Sequence, residues 1–343
     1  MLNDRRHRAE RRRGLRHGVD RSLPPAAPPA GPGATARGAP PRVLPLVMIA
    51  AVLPYVGLKL LWLSGSTVGS ATAAGAASLH DPRHTIGNLM TLAMELAAVL
   101  LVLALVDRRG RRPPAVAVLA PLWVGSGLLA PIALGLPFGL LAQGLSGGSA
   151  APADNGLQDW VYAVVYGGFV VQGVALGSAL VLHARARWPA AFERRPRSIP
   201  GAAGRARALG LTGALSAGVY GLAQLAWAVA PSRLDAPPGF ETVAQRSLFV
   251  STAVLVLAGA WAVLALIDRA PKSHRPLPPG ATAWLGSATA FASAIAAYAL
   301  SGATSPGPAT SLLLATGAIA GLALAGALVL GLSRDATDRI PVL

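Results

Sequence analysis

The chain has 343 residues, 53% of them hydrophobic and only 13% charged; a soluble domain carries roughly a quarter charged residues, so this balance points to lipid as the solvent. A formal net charge of +16 would suit nucleic acid, but the basic residues cluster between apolar runs instead of lining a face interleaved with aromatics, which argues against a specific nucleic-acid partner. Cysteine is absent, which excludes disulfides, thiolate metal sites and Cys nucleophiles.

Residues 1–42 carry ten arginines against Asp4, Glu10 and Asp20, followed by a Pro/Ala/Gly-rich stretch from Pro24 to Pro41. No periodic apolar pattern interrupts them, so the segment reads as a disordered basic cytoplasmic tail. Its functional reading is a dock for anionic lipid headgroups, nucleic acid or a cytoplasmic component; its bland reading is a solvated topogenic tail. The proline-rich spacer between the arginines and the first apolar run speaks against a twin-arginine signal.

Eight apolar runs follow, near 43–64, 85–106, 115–141, 160–182, 208–230, 247–267, 281–300 and 309–332. Each holds about 20 residues, which at ~1.5 Å per residue crosses a hydrocarbon core of ~30 Å. The third contains Pro121, Pro131 and Pro137, which should kink it or end it early. Placing the N-terminus inside leaves 26 basic residues in cytoplasmic segments, against Arg83, Arg233 and Arg246 outside. The positive-inside rule therefore sets both termini in the cytoplasm of a multi-pass plasma-membrane protein.

The two halves echo each other. Tyr55, Leu60 and Trp62 match Tyr220, Leu225 and Trp227; the second span ends in Asp107-Arg108 and the sixth in Asp268-Arg269. Trp123-x-Gly125-Ser126 and Trp284-x-Gly286-Ser287 follow those Asp-Arg pairs at one constant offset, and Ala175 to Leu182 resembles Ala323 to Leu330. A duplicated unit with an even number of spans keeps its orientation, so the copies should be related by an axis along the membrane normal. The fold class is thus an all-α polytopic membrane protein, with a first four-helix repeat over 43–182, a basic linker over 183–207, a second repeat over 208–332 and a cytoplasmic tail over 333–343.

Small residues mark helix contacts: Gly173 with Gly177, Gly317 with Gly321, and Gly210, Ala214 and Gly218. Trp160 and Trp188 flank the fourth span as interfacial anchors. Asp107-Arg108 and Asp268-Arg269 read as local ion pairs at the cytoplasmic edge.

Two ionisable residues lie within spans, Lys59 in the first and Glu95 in the second, and such residues are functional candidates by default. Cβ atoms tilt toward a helix's own N-terminus, so on antiparallel spans Lys59 and Glu95 lean toward each other and a pair is feasible. The bland alternatives are a snorkelling Lys59 and a neutral Glu95 carboxyl bonded to the backbone or Thr91. In the second half Lys59 aligns with Gln224 and Glu95 with Val256, so both charges are lost together. His84, Asn88, Thr91 and Glu95 follow spacings of four, three and four along one helix face, and Gln172 in the fourth span sits at similar depth. Such a stripe faces a wet cavity or supplies interhelical hydrogen bonds.

His80 and His84 are poor metal ligands, because Asp81-Pro82 between them reads as an N-cap followed by Pro at the first helical position. No mid-span histidine suits haem, and no phosphate loop, HExxH helix or nucleophile elbow is present. No cofactor or metal is expected.

The run from Leu53 to Gly65, with Pro54, Tyr55, Lys59 and Trp62, resembles the opening of a group of uncharacterised actinobacterial integral membrane proteins. Those look like proteins with a Pro-Tyr-x-x-x-Lys-x-x-Trp core followed by Gly. The resemblance covers the first span and implies that Tyr55, Lys59 and Trp62 belong to a site, without implying a substrate.

The candidate site is therefore Tyr55, Lys59, Trp62, His84, Asn88, Thr91, Glu95 and Gln172, with no catalytic residue. Two functions from different classes fit: a permease for a small solute or ion, and a non-catalytic membrane partner or sensor docking a cytoplasmic component through its tail. A membrane-embedded enzyme would need an acid/base or metal constellation that the sequence does not offer. Partners are the bilayer, anionic headgroups at the tail, and further copies or other subunits in an oligomer.

Overall fold

The computed structural model describes residues 43–106, 115–150, 156–187, 203–237, 240–267, 277–300 and 306–337. The basic tail, Asp107-Arg108, Asp268-Arg269, Trp188 and the middle of the basic linker lie outside the described residues. The helices are α1 (Val43–Leu63), α2 (Ala73–Ser78), α3 (Pro82–Val106), α4 (Ala115–Ser146), α5 (Asp159–Arg187), α6 (Ala203–Val229), α7 (Val243–Ile267), α8 (Leu277–Leu300) and α9 (Pro308–Thr337). Among the described residues the one β feature is an isolated antiparallel bridge between Ser70 and Leu157.

Seven of these helices are long and apolar enough to cross a membrane. The shortest, α1 with 21 residues, spans about 31 Å at the α-helical rise, matching a hydrocarbon core. Their outward faces are apolar: Leu53 is 59% exposed, Leu215 75% and Val254 59%, whereas Gln172, Ser287 and Thr289 are buried. A coat of exposed aliphatic side chains, with polar side chains such as these kept inside, suits lipid as the solvent.

The expected eighth span differs. Helix α8 is 24 residues long, but Gly280, Thr282, Trp284, Gly286, Ser287, Thr289, Ser293 and Tyr298 dilute its apolarity. It packs on α4, α7 and α9, and Gly286 through Ala290 are buried on every side of the helix.

The long helices pack as two rings. In the first, α1 meets α3, α3 meets α4, α4 meets α5, and α5 closes on α1; in the second, α6, α7, α8 and α9 follow the same cycle, with α9 closing on α6. The rings join where α4 lies against α7 and α8. At that seam the Trp123 indole Nε1 donates to Ser287 Oγ at 3.1 Å, and Trp284 Nε1 donates to Ser126 Oγ at 3.1 Å. Each serine hydroxyl in turn donates to the carbonyl three residues back, Ser126 to Trp123 and Ser287 to Trp284. Contacts in which i meets j′ and j meets i′ define a local two-fold.

Helix α4 does not end early. It runs 32 residues to Ser146 through Pro121, Pro131 and Pro137, about 48 Å at the helical rise. Neighbouring serines bond its backbone around those prolines: Ser247 Oγ donates to Gly135 O and Ser251 Oγ to Pro131 O, both at 2.9 Å. Proline is tolerated in a span when adjacent helices supply such partners. The small-residue expectations hold at Gly173 against Ala133, Gly210 against Ile267, Gly317 against the Tyr220 ring and Gly321 against Phe291. They fail at Gly177 and Gly218, where an added Cβ meets open space. Sequence did not single out the packing of Gly259 on Gly286, which brings α7 and α8 backbone to backbone.

Candidate functional site

The first ring buries a polar cluster between α1, α3 and α5. Lys59 is 8% exposed, and its Nζ donates to Asn88 Oδ1 at 2.7 Å. The same nitrogen lies 4.7 Å from the Tyr55 ring centroid and 5.0 Å from that of Trp62, so two aromatic faces and one amide oxygen hold the ammonium. Desolvated cation–π contacts of this kind contribute roughly 2 kcal/mol or more. The amide bond is a charge-assisted hydrogen bond.

Glu95 lies two turns further along α3 and is 4% exposed. It is within electrostatic reach of Lys59 and faces the Gln172 side chain. The ammonium bonds Asn88, not the carboxylate, so the two charges form separate poles of one cluster rather than a contact ion pair. Three buried atoms there lack a partner of hydrogen-bonding geometry among the described residues: Asn88 Nδ2, Glu95 Oε2 and Gln172 Nε2. Unpaired buried polar atoms cost about 1–3 kcal/mol each, more when charged, and they are rare enough in folded proteins to call for a reason.

The remaining expected residues divide. Tyr55 is buried and interacts with Thr91; Thr91 also donates back to Gly87 O at 2.9 Å. Trp62 is buried, and its indole donates to Val68 O at 2.8 Å. His84 does not join the cluster. It lies in the first turn of α3 with an exposed side chain. Helix α3 does begin at Pro82, with Asp81 O accepting from Thr85 N at 3.0 Å.

Sequence reasoning missed the aromatic wall on α5. Phe169 packs edge-on against Tyr55 at 5.4 Å, and Tyr166 against Phe169 at 6.1 Å. It also missed Asn88 as the partner of Lys59. Lys59 lies four residues from the end of α1 and Asn88 six from the start of α3, which places them at similar depth on antiparallel helices.

The α1–α3 connection covers this end of the ring. Thr72 caps the short α2 by accepting from Gly75 N at 3.0 Å. The loop is tied to the start of α5 by Gln158 N to Gly69 O at 2.8 Å and Ala71 N to Gly156 O at 2.7 Å. Gly75 and Gly156 touch too closely to admit a Cβ at either position. Beneath the loop, Leu58, Trp62, Leu79 and Val161 form an apolar plug.

At the offsets of the expected repeat, Asn88, Glu95 and Gln172 correspond to Phe249, Val256 and Ala320, which are buried in one apolar cluster of the second ring. Phe249 packs on Trp227 and Phe240, at 5.8 and 4.3 Å. Gln224, at the Lys59 position, interacts with the Tyr220 hydroxyl, which also bonds Ser293 Oγ at 3.1 Å. The chain matches no protein-family model, no curated protein and no solved structure.

Proposed function

We propose that the chain is a plasma-membrane permease for a small solute or ion, with its solute site in the first ring and both termini in the cytoplasm. One observation carries this reading: an ammonium held by two aromatic rings and Asn88, with the Glu95 carboxyl two turns further along α3, is buried inside a lipid-facing helical bundle, where ionisable side chains are costly and functional by default.

On this reading the rings are copies of one four-helix unit, and only the first has kept the polar site. Supporting the duplication are the identical neighbour cycles and the reciprocal Trp–Ser bonds. The loop after the first helix of each unit adds an independent match. Trp62 donates to Val68 O, and Trp227 donates to Leu234 O at 3.0 Å. Each acceptor is followed by a residue of positive φ, Gly69 at +83° and Asp235 at +48°. The carbonyl of that residue is bonded from the start of the unit's last helix, Gly69 O by Gln158 N and Asp235 O by Thr310 Oγ1 at 2.7 Å.

The test is transport by the full chain in proteoliposomes. Lys59→Ala and Glu95→Gln should abolish solute movement while leaving the protein folded in the membrane. Transport at the unsubstituted rate by both variants would contradict the proposal. The ten arginines of the tail favour a second reading, a partner or sensor that docks a cytoplasmic component. That reading predicts that deleting residues 1–42 destroys function and that the Lys59 change does not.

A further inference from the structure

We infer that α3 is a moving arm with two resting places: the observed one against α1 and α5, and a second against α8, equivalent to the place α7 holds on α4. The inference rests on the duplication reading above and names the moving part of the proposed permease.

The seam between the rings supplies the rule. The reciprocal bonds of Trp123 with Ser287 and Trp284 with Ser126 make α4 and α8 two-fold mates. In a duplicated pair, a two-fold that exchanges α4 with α8 also exchanges α7 with α3. Helix α7 packs on α4, where Ser247 and Ser251 donate to Gly135 O and Pro131 O. Among the described residues α3 makes no comparable contact with α8. Ile295 and Tyr298 of α8 are exposed instead.

Burial along α3 locates the pivot. Its last turns bury Val102 and Leu105 in an apolar cluster with Met48, Leu122 and Leu176, and Trp284 near the start of α8 packs on the same cluster. His183 Nδ1 of α5 bonds Leu105 O there at 3.0 Å. The first half of α3 differs. Among the described side chains of residues 82–95, Asn88 and Glu95 are the buried ones, while Ile86, Leu89, Met90 and Met94 are exposed. The buried contacts of this half are polar: Asn88 with Lys59, Thr91 with Tyr55 and Glu95 with Gln172. Interhelical hydrogen bonds in membranes are individually weak, so the start of α3 can leave while its end stays anchored.

Offsets give the register of the second place. Gly135 lies against Ser247 and Ser251, with Ser251 Cβ 3.0 Å from where a Gly135 Cβ would stand. The repeat makes Ala296 the mate of Gly135, and Ile86 and Met90 the mates of Ser247 and Ser251. Swung onto α8, the arm lays Ile86 and Met90 against Ala296 and parts Asn88 from Lys59. Both faces are bulkier than their mates, which keeps this contact looser than that of α7 on α4. The flexible methionine adapts to either place.

The experiment is disulfide trapping in native membranes of the full chain, which lacks cysteine, with a protease site inserted between Arg194 and Arg195. Cleavage then separates the halves unless a disulfide joins them. Met90→Cys with Ala296→Cys should cross-link on oxidation, because the second place brings their β-carbons to about 4 Å, within disulfide reach. Ala150→Cys with Thr242→Cys, at residues already in contact at 3.1 Å, reports oxidation and folding. Lys59→Met should speed the Met90–Ala296 cross-link about tenfold, the factor for one lost hydrogen bond to a charged group.

No Met90–Ala296 cross-link while the Ala150–Thr242 control forms overturns the arm and leaves the permease reading standing, since transport by the Lys59 and Glu95 variants tests that separately. Cross-linking of Met90→Cys to Tyr298→Cys, on the opposite face of α8, in place of Ala296→Cys overturns the arm and the duplication together. A cross-link between co-expressed single-cysteine chains joins two copies and overturns the arm. An unchanged rate in Lys59→Met overturns the Lys59–Asn88 bond as its latch.

Discussion

Lys59 Nζ and Asn88 Oδ1 are 2.7 Å apart across α1 and α3, inside a bundle whose outer surface is aliphatic. This bond fixes the buried ammonium and leaves the Asn88 amide nitrogen buried without a partner of hydrogen-bonding geometry. Removing one partner of such a bond leaves the other desolvated and unpaired, which costs more than the bond itself contributes.

Asn88→Leu should therefore lower stability by about 2–3 kcal/mol, the scale of a hydrogen bond to a charged group. Adding Lys59→Met to that variant should restore much of the loss, because replacing both partners with apolar groups removes the orphan. Thermal unfolding in detergent of the two single variants and the double variant checks this. Additive losses would contradict it.

The seam between the rings makes a second prediction. Ser126→Ala and Ser287→Ala each remove one of two mirrored Trp–Ser bonds. Each should cost about 0.6–1.7 kcal/mol, the measured scale for interhelical hydrogen bonds in membranes. The two losses should agree closely, since the bonded distances and the back-bonds are the same on both sides. Unequal losses would show that the local two-fold does not extend to the energetics.

Glycine positions separate sharply. Gly259→Val and Gly286→Val should abolish folding, because each added side chain would enter the facing backbone. Gly177→Ala and Gly218→Ala should be neutral or slightly stabilising, since nothing lies within 4 Å of the new Cβ and alanine is the better helix former by about 1 kcal/mol. Yield of monodisperse protein and its unfolding temperature report both effects.

The spans were legible because an apolar run of about 20 residues has few other uses, and Lys59 and Glu95 stood out because charge is costly in such a run. Depth was harder to read. Lys59 and Glu95 were matched by the lean of their side chains, yet proximity at equal depth chose Asn88. Periodicity placed His84 on the stripe but could not show that its side chain is exposed. The loop that covers the site, with α2 and the Ser70–Leu157 bridge, depends on contacts between residues nearly 90 apart, beyond the reach of local pattern.

Orientation is open to a direct check. Tags in the connections around Asp154 and Arg195 should be accessible from opposite sides of the membrane, the second from the cytoplasm. Accessibility from the same side would contradict the proposed topology.

The most direct test of the account exploits the absence of cysteine. Single cysteines at Thr91 and Gln172 sample the first ring, and single cysteines at Thr252 and Ala320 sample the matching places in the second. On the proposed permease reading, a small, charged, membrane-impermeant thiol reagent applied to cells should modify the first pair and spare the second. Equal modification of both pairs, or protection of both, would contradict the claim that the first ring alone carries the site.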